Sequence, residues 1–187
     1  FLKDTYLKLF LSQWLVNEDA VAKSYLNKIQ AGGATYVESD KAAQKFAENF
    51  TKGTISAQQK VLMKARLSFD GGYLPEAMNA LKPFQENSFP NSSDKAEFQY
   101  RLGRIFQRQN QLDSSLAHYE RAIALSQTQS LYFGATSALQ LGYIYQTKGQ
   151  NSKAIAYFKQ ALNYPKHEYK NSVDNKARAA LTLMGVE

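Results

Sequence analysis

The chain has 187 residues, of which 44% are hydrophobic and 21% charged, with no cysteine and a net charge of +7 from 23 Lys and Arg against 16 Asp and Glu. This balance supplies enough apolar material for a core and excludes a solvated, disordered tail. The lack of cysteine excludes disulfides, thiolate metal sites and cysteine nucleophiles while leaving the compartment open, and the positive charge favours acidic partners.

The most apolar N-terminal run, Tyr6 to Val16, is interrupted by Lys8, Ser12 and Gln13. It is too short to span a bilayer and has no cleavage-type end, so neither a membrane span nor a signal segment is expected, and a soluble segment of cytoplasm or periplasm fits equally. Because the chain begins at Phe1 rather than Met, it reads as a piece of a longer protein or a processed product, and the missing cysteine and compact organisation suit a bacterial one. Strand patterning is hard to find, and the four prolines and ten glycines suit long helices joined by short turns. Phe10, Ala22, Leu26 and Ile29 mark the first helices, and Gly32-Gly33 closes them. Ala43, Phe46, Ala47 and Phe50 mark an amphipathic helix with no evident partner. Residues 1–55 therefore read as an irregular region, a decayed repeat plus an unpaired helix.

From there the boundary signals are regular. Ser56-x-x-Gln59 and Asp94-x-x-Glu97 have the form of capping boxes. Pro75 follows a Gly71-Gly72 turn and suits the first turn of a helix. Pro83 and Pro90 bracket a linker, and Asp113 and Asn151 are expected N-caps. After Pro165, Asn171 or Ser172 opens a last helix with Val173, Ala177, Ala180, Leu181 and Met184 on one face and Asp174, Asn175, Lys176 and Arg178 elsewhere. That is the pattern of a C-terminal capping helix over residues 166–187.

Residues 56–165 contain a repeat. Leu102, Gly103 and Phe106 are followed by Ser115, Tyr119 and Ala122; Leu141, Gly142 and Tyr145 are followed by Ala154, Phe158 and Ala161. From each glycine the last three residues fall at 12, 16 and 19 positions. A weaker copy has Ala65 for the glycine, followed by Ala77, Leu81 and Phe84, and Phe10 begins the same spacing upstream. This is the spacing of two antiparallel helices that cross at a small residue, with an aromatic residue seated from the return helix. One pair cannot bury its stripe alone, so such units occur in series.

These residues resemble the tetratricopeptide repeat, Trp-x2-Leu-Gly-x2-Tyr followed by Ala-x3-Phe and a terminal Pro. Gln99 and Ala138 stand in place of the Trp, Pro165 matches the proline loosely, and the small residues are 38 and 39 apart rather than the usual 34 or so. The resemblance implies an all-α, right-handed superhelical solenoid of antiparallel pairs with about ten helices, three pairs of them in 56–165. It also implies a non-enzymatic scaffold whose first helices line a concave groove that binds protein or peptide. Non-core positions on those helices make Arg66, Tyr100, Arg101, Arg104, Arg108, Gln140 and Tyr143 the expected groove residues. Glu97 can pair Arg101, while Arg104 and Arg108 lack such a partner on their helix, so acidic ligands are expected. The family's clamp for a terminal carboxylate needs Lys, Asn and Lys where Leu62, Arg101 and Thr136 stand, which argues against that mode.

No residue pattern speaks for catalysis or cofactors. His118 and His167 are isolated in the sequence and read as surface residues, without a nucleophile beside them. No His-Glu-x-x-His or paired-carboxylate pattern suggests a metal, and the glycine pairs lack the Lys-Ser/Thr of a phosphate loop. Two other readings are a regulatory or sensing segment of a protein whose enzymatic or DNA-binding domain lies outside this chain, and an RNA-binding helical repeat. The latter ranks last because no window of about five to eight residues is dominated by Lys or Arg.

Overall fold

The computed structural model describes all residues except Gly32, 34–36, 127–130 and Glu187. The expected Gly32-Gly33 turn therefore falls outside the described residues. Among them, all regular structure is helical: ten α-helices and one 3-10 turn. The chain divides into two compact units, Phe1–Lys60 and Val61–Glu187.

In the first unit, α1 (Leu2–Trp14) and α2 (Asp19–Ala31) form a hairpin whose turn contains Asn17 in the left-handed region, φ 66°. Phe10, Ala22, Leu26 and Ile29 are all buried. The helix expected to be unpaired, α3 (Glu38–Thr51), instead packs against both α1 and α2. Phe46 and Phe50, one turn apart, meet Phe10 at ring-centroid distances of 5.8 and 4.9 Å, and Phe50 also meets Trp14 edge-on at 5.3 Å. An amphipathic stripe announces that a helix will be covered, but not by what.

The second unit contains most of α4 (Ala57–Asp70), then α5 (Leu74–Leu81), α6 (Ser92–Arg108), α7 (Leu112–Ser126), α8 (Tyr132–Thr147), α9 (Asn151–Leu162) and α10 (Lys170–Leu183). The box at α4 is present in both directions: Gln59 N–H donates to Ser56 Oγ at 3.1 Å, and Ser56 N–H to Gln59 Oε1 at 3.0 Å. Pro75 sits in the first turn of α5 after Gly72 at φ 85°. The expected box at Asp94 is displaced, because Asn91 is the N-cap of α6 and accepts from Asp94 N–H at 2.8 Å. In a run such as Asn-Ser-Ser-Asp several residues can cap, and the earliest one gives the longer helix. Asp113 and Asn151 likewise lie inside the first turns of α7 and α9 rather than at their caps. The last helix begins at Lys170, with Tyr169 as a left-handed N-cap at φ 66°, ahead of the expected Asn171 or Ser172.

The repeat spacing has a direct steric meaning. A Cβ added to Gly103 would lie 2.7 Å from the Tyr119 ring, and one added to Gly142 would lie 2.5 Å from Phe158 Cδ1. Both aromatic residues are completely buried. The glycines therefore set how closely α6 meets α7 and α8 meets α9, and Ser115 Oγ adds a 2.9 Å bond to the Gly103 carbonyl. The aromatic residue three after each glycine stacks on the return helix: Phe106 on His118 (5.2 Å, 7°) and Tyr145 on Tyr157 (5.4 Å, 2°). Around Ala65, smaller side chains form the corresponding cluster with Ala77 and Leu81. Phe84 in that copy lies beyond the end of α5 and packs beside Phe89 at 6.0 Å. Val173, Ala177, Ala180 and Leu181 of α10 join the core of α8 and α9.

His118 is thus half-buried rather than a free surface residue, and His167 is buried, with Nδ1 2.5 Å from the Glu168 carbonyl. His118 Nδ1 lies 2.6 Å from Gln99 Oε1, and Gln99 donates to Glu86 at 2.8 Å. Glu86, in the 3-10 turn Glu86–Ser88, also accepts from Arg121 Nε at 2.8 Å. Burial holds His118 below the ordinary histidine value of 6.5, and the Arg121 bond holds Glu86 below its usual 4.5. Below 6.5 the unfolded chain takes up a proton that the folded one refuses, so the histidine contribution is full above that value and falls as pH drops towards the lowered native value. Glu86 adds a second loss in the same direction beneath 4.5. Thermal unfolding between about pH 7.5 and 5.5 is expected to show falling stability, and His118→Phe to flatten that interval. An unchanged slope would remove His118 as its cause.

Candidate functional site

A groove of about 520 Å³ opens in the second unit, lined by the first helix of each pair and by the start of α10. α4 contributes Arg66, Leu67 and Asp70; α6 contributes Tyr100, Arg101 and Arg104; α8 contributes Tyr132, Thr136, Leu139 and Gln140. Their placement follows from the repeat. Each small residue faces the return helix, and beside it the residues one after (Arg66, Arg104) and two or three before (Tyr100, Arg101, Leu139, Gln140) line the groove, whereas Tyr143, one after Gly142, does not.

Arg101 is buried, with 3% of its surface exposed, where an accessible side chain was expected. Its Nε and Nη2 donate to the same Glu97 oxygen at 3.0 and 2.7 Å, and Nη2 also donates to the Tyr132 hydroxyl at 3.0 Å. Its guanidinium lies 5.2 Å from the Tyr100 ring centroid and 5.8 Å from that of Phe133. The nearby Glu97 charge raises the arginine pKa further although burial opposes it. Tyr100 is buried as well, and burial raises its phenol above 10.0. These two residues form the floor of the groove.

Arg104 was expected to lack a partner, and finds one on another helix: Asp70 of α4 at 3.3 Å, with the guanidinium 4.1 Å above the Phe69 ring. Arg108 does not line the main groove. It borders an adjoining cavity of about 340 Å³, which Arg104 and Gln140 also line. There Gln107 accepts from the Tyr119 hydroxyl at 2.6 Å and donates to Gln140 at 3.1 Å. Tyr143 borders neither cavity and instead packs edge-on against Phe158 at 5.2 Å. Of the clamp positions, Leu62 is buried and Thr136 lines the groove.

Nine lining residues were not anticipated as groove residues, among them Asp70, Tyr132, Tyr169 and Lys176. Asp70 and Tyr132 come from the ends of their helices, and Tyr169 and Lys176 from the α10 region. Tyr169 is 59% exposed and stands edge-on to Tyr132 at 5.2 Å. A tyrosine in the left-handed region is uncommon. A non-repeating helix gives no spacing from which its approach to the groove could be read.

Antiparallel helix pairs joined through a shared core define the second unit as a helical-repeat array. Residues 94–166, spanning α6 to α9, match the family model described as the tetratricopeptide repeat, and this stretch carries tetratricopeptide repeats. The weaker copy around Ala65 lies outside the match. No curated protein and no solved structure matches the chain. Tetratricopeptide repeats are generally protein–protein interaction scaffolds and typically non-catalytic. Among the described residues, no helix is long and apolar enough to cross a membrane.

Proposed function

We propose that the second unit is a non-enzymatic scaffold holding a polypeptide segment of a partner protein in the groove of α4, α6, α8 and α10, as one module of a larger assembly. The observation that carries this reading is the groove itself: a continuous depression formed by the first helix of successive pairs, mixing guanidinium groups with tyrosine rings. Arginine and tyrosine are the residue types that dominate binding energy at protein interfaces.

The test uses Arg66→Glu/Arg104→Glu. Arg66 is half-buried and the Arg104–Asp70 pair is solvent-exposed, so the pair adds at most about 1 kcal/mol to stability and its loss leaves the fold intact. Peptide-array or pull-down partners of the native chain are expected to be lost from this variant while its helical circular dichroism is unchanged. Equal capture by both proteins would move the binding surface elsewhere.

A further inference from the structure

Resting on that reading, we infer that the groove selects an internal acidic side chain of the bound segment, with Arg101 as the anchor of a carboxylate subsite on its floor. A buried arginine can direct five N–H bonds. Here Nε and Nη2 are engaged by Glu97 and Tyr132, whereas Nη1 donates to nothing among the described residues. Arg101 is nevertheless almost wholly buried and lines the groove. A guanidinium taken out of water in a fixed orientation, with two donors left over, is complementary to an oxygen acid in the space before it.

The surroundings favour the same ligand. The Tyr132 hydroxyl accepts from Arg101, which turns its own proton away from the guanidinium, and the Tyr100 hydroxyl is not hydrogen-bonded among the described residues. Arg66 and Lys176 line the groove without an ion pair among the described residues. The carboxylates nearby are already engaged: Glu97 by Arg101 and Asp70 by Arg104. Donors exceed acceptors, and cations exceed anions.

The continuity of the groove indicates a side chain rather than a chain end. Arg104 and Gln140 line both the main groove and the smaller cavity beside it, so a polypeptide seated over Arg101 can continue past Arg104 towards Arg108. Arg108 is exposed and makes no ion pair among the described residues. It offers a second station, about 10 Å from Arg101 along α6 by helical rise. About three residues of a polyproline-type backbone cover that distance and return the side chain to the same side. The recognised feature is therefore acidic-x-x-acidic, its first acidic residue seated at the end of the groove where Tyr132 and Tyr169 stand and its second beyond Arg104.

The probes are fluorescent peptides blocked at both ends, carrying Glu-Tyr-Ala-Glu or Gln-Tyr-Ala-Gln, together with an uncharged peptide ending in a free carboxylate. Titrations use the full chain at low and high salt. The Glu peptide is expected to bind at least tenfold more tightly than the Gln peptide and to weaken with salt. Arg108→Gln is expected to remove about half of that advantage on a logarithmic scale. Tyr132→Phe, which leaves the ring in place, is expected to weaken the Glu peptide and spare the Gln peptide. Because Arg101→Gln can unfold the chain, the rim variant Arg66→Gln gives an independent check and is expected to lower affinity for the Glu peptide alone. Equal affinity for the Glu and Gln peptides, or no binding of the Glu peptide at about millimolar concentration, overturns the acidic subsite. Preference for the free-carboxylate peptide overturns the choice of an internal residue. If other array peptides still bind and Arg66→Glu/Arg104→Glu displaces them, the scaffold reading survives that failure; if none is displaced, it fails too.

Discussion

Phe158→Ala is expected to lower the free energy of unfolding of the repeat unit by about 3–5 kcal/mol, since a fully buried aromatic ring leaves a cavity that helices anchored on both sides cannot close. Gly142→Ala is expected to cost about 1–3 kcal/mol from the opposite direction, by forcing the ring away, even though alanine is worth up to about 1 kcal/mol more than glycine in a helix interior. The two act on one contact. Gly142→Ala combined with Phe158→Leu should therefore be less destabilised than the sum of the singles, and urea denaturation of the four proteins measures the difference. Strict additivity would mean that Gly142 is present for some reason other than the approach of α9. The same cycle at Gly103 and Tyr119 is expected to give the same sign, because their geometry is equivalent.

The second large effect concerns Glu97. Removing it in Glu97→Leu leaves the buried Arg101 with only Tyr132 among the groups it now touches with Nε and Nη2, and breaking such a pair costs about 3–5 kcal/mol, here at the lower end because Glu97 is partly exposed. Replacing both, as Glu97→Leu/Arg101→Met, is expected to recover most of the loss, since no charge is then left uncompensated. The comparison separates two roles of Arg101. Recovered stability without recovered binding of acidic peptide assigns the arginine to recognition; a double variant as unstable as the single would assign it to the core. A Glu97→Leu cost below about 1 kcal/mol would show that water screens the pair.

These two cases also mark where reading the sequence succeeds and where it stops. The Gly103–Tyr119 and Gly142–Phe158 contacts were legible because a close helix crossing repeats at fixed spacing, and spacing is all that a sequence displays directly. The stripe of Arg101, Arg104 and Arg108 was visible for the same reason, but its fate was not. Arg101 is covered through Tyr132, 31 positions away, and Arg104 is paired with Asp70, 34 positions away. Asp70 is the only carboxylate on α4, yet nothing in the sequence shows that the end of α4 lies beside Arg104, and Tyr132 stands out from no other polar residue of α8. His118 shows the complementary limit: isolated in sequence, it stands 15 residues after Gly103 in the stacking position that Tyr157 fills 15 residues after Gly142. Expected and observed caps differ by one to three residues: Asn91 and Asp94 are chemically similar competitors for one role, whereas Gln150 and Tyr169 precede α9 and α10 without a side-chain cap bond and so carry no capping signature.

The 3-10 turn at Glu86–Ser88 bears on how this array tolerates changes in length. Its Glu86 is bound both by Gln99 of α6 and by Arg121 of α7, so the residues that lengthen the first interval beyond the usual repeat act as a clasp across the following pair rather than as slack. A deletion trimming residues 85–88 would restore a shorter period on paper and yet leave Arg121 and Gln99 without their acceptor, whereas a few residues added beside Pro83 would leave the clasp closed. Conformity to the common repeat length is thus a poor guide to which loops of this chain can be shortened.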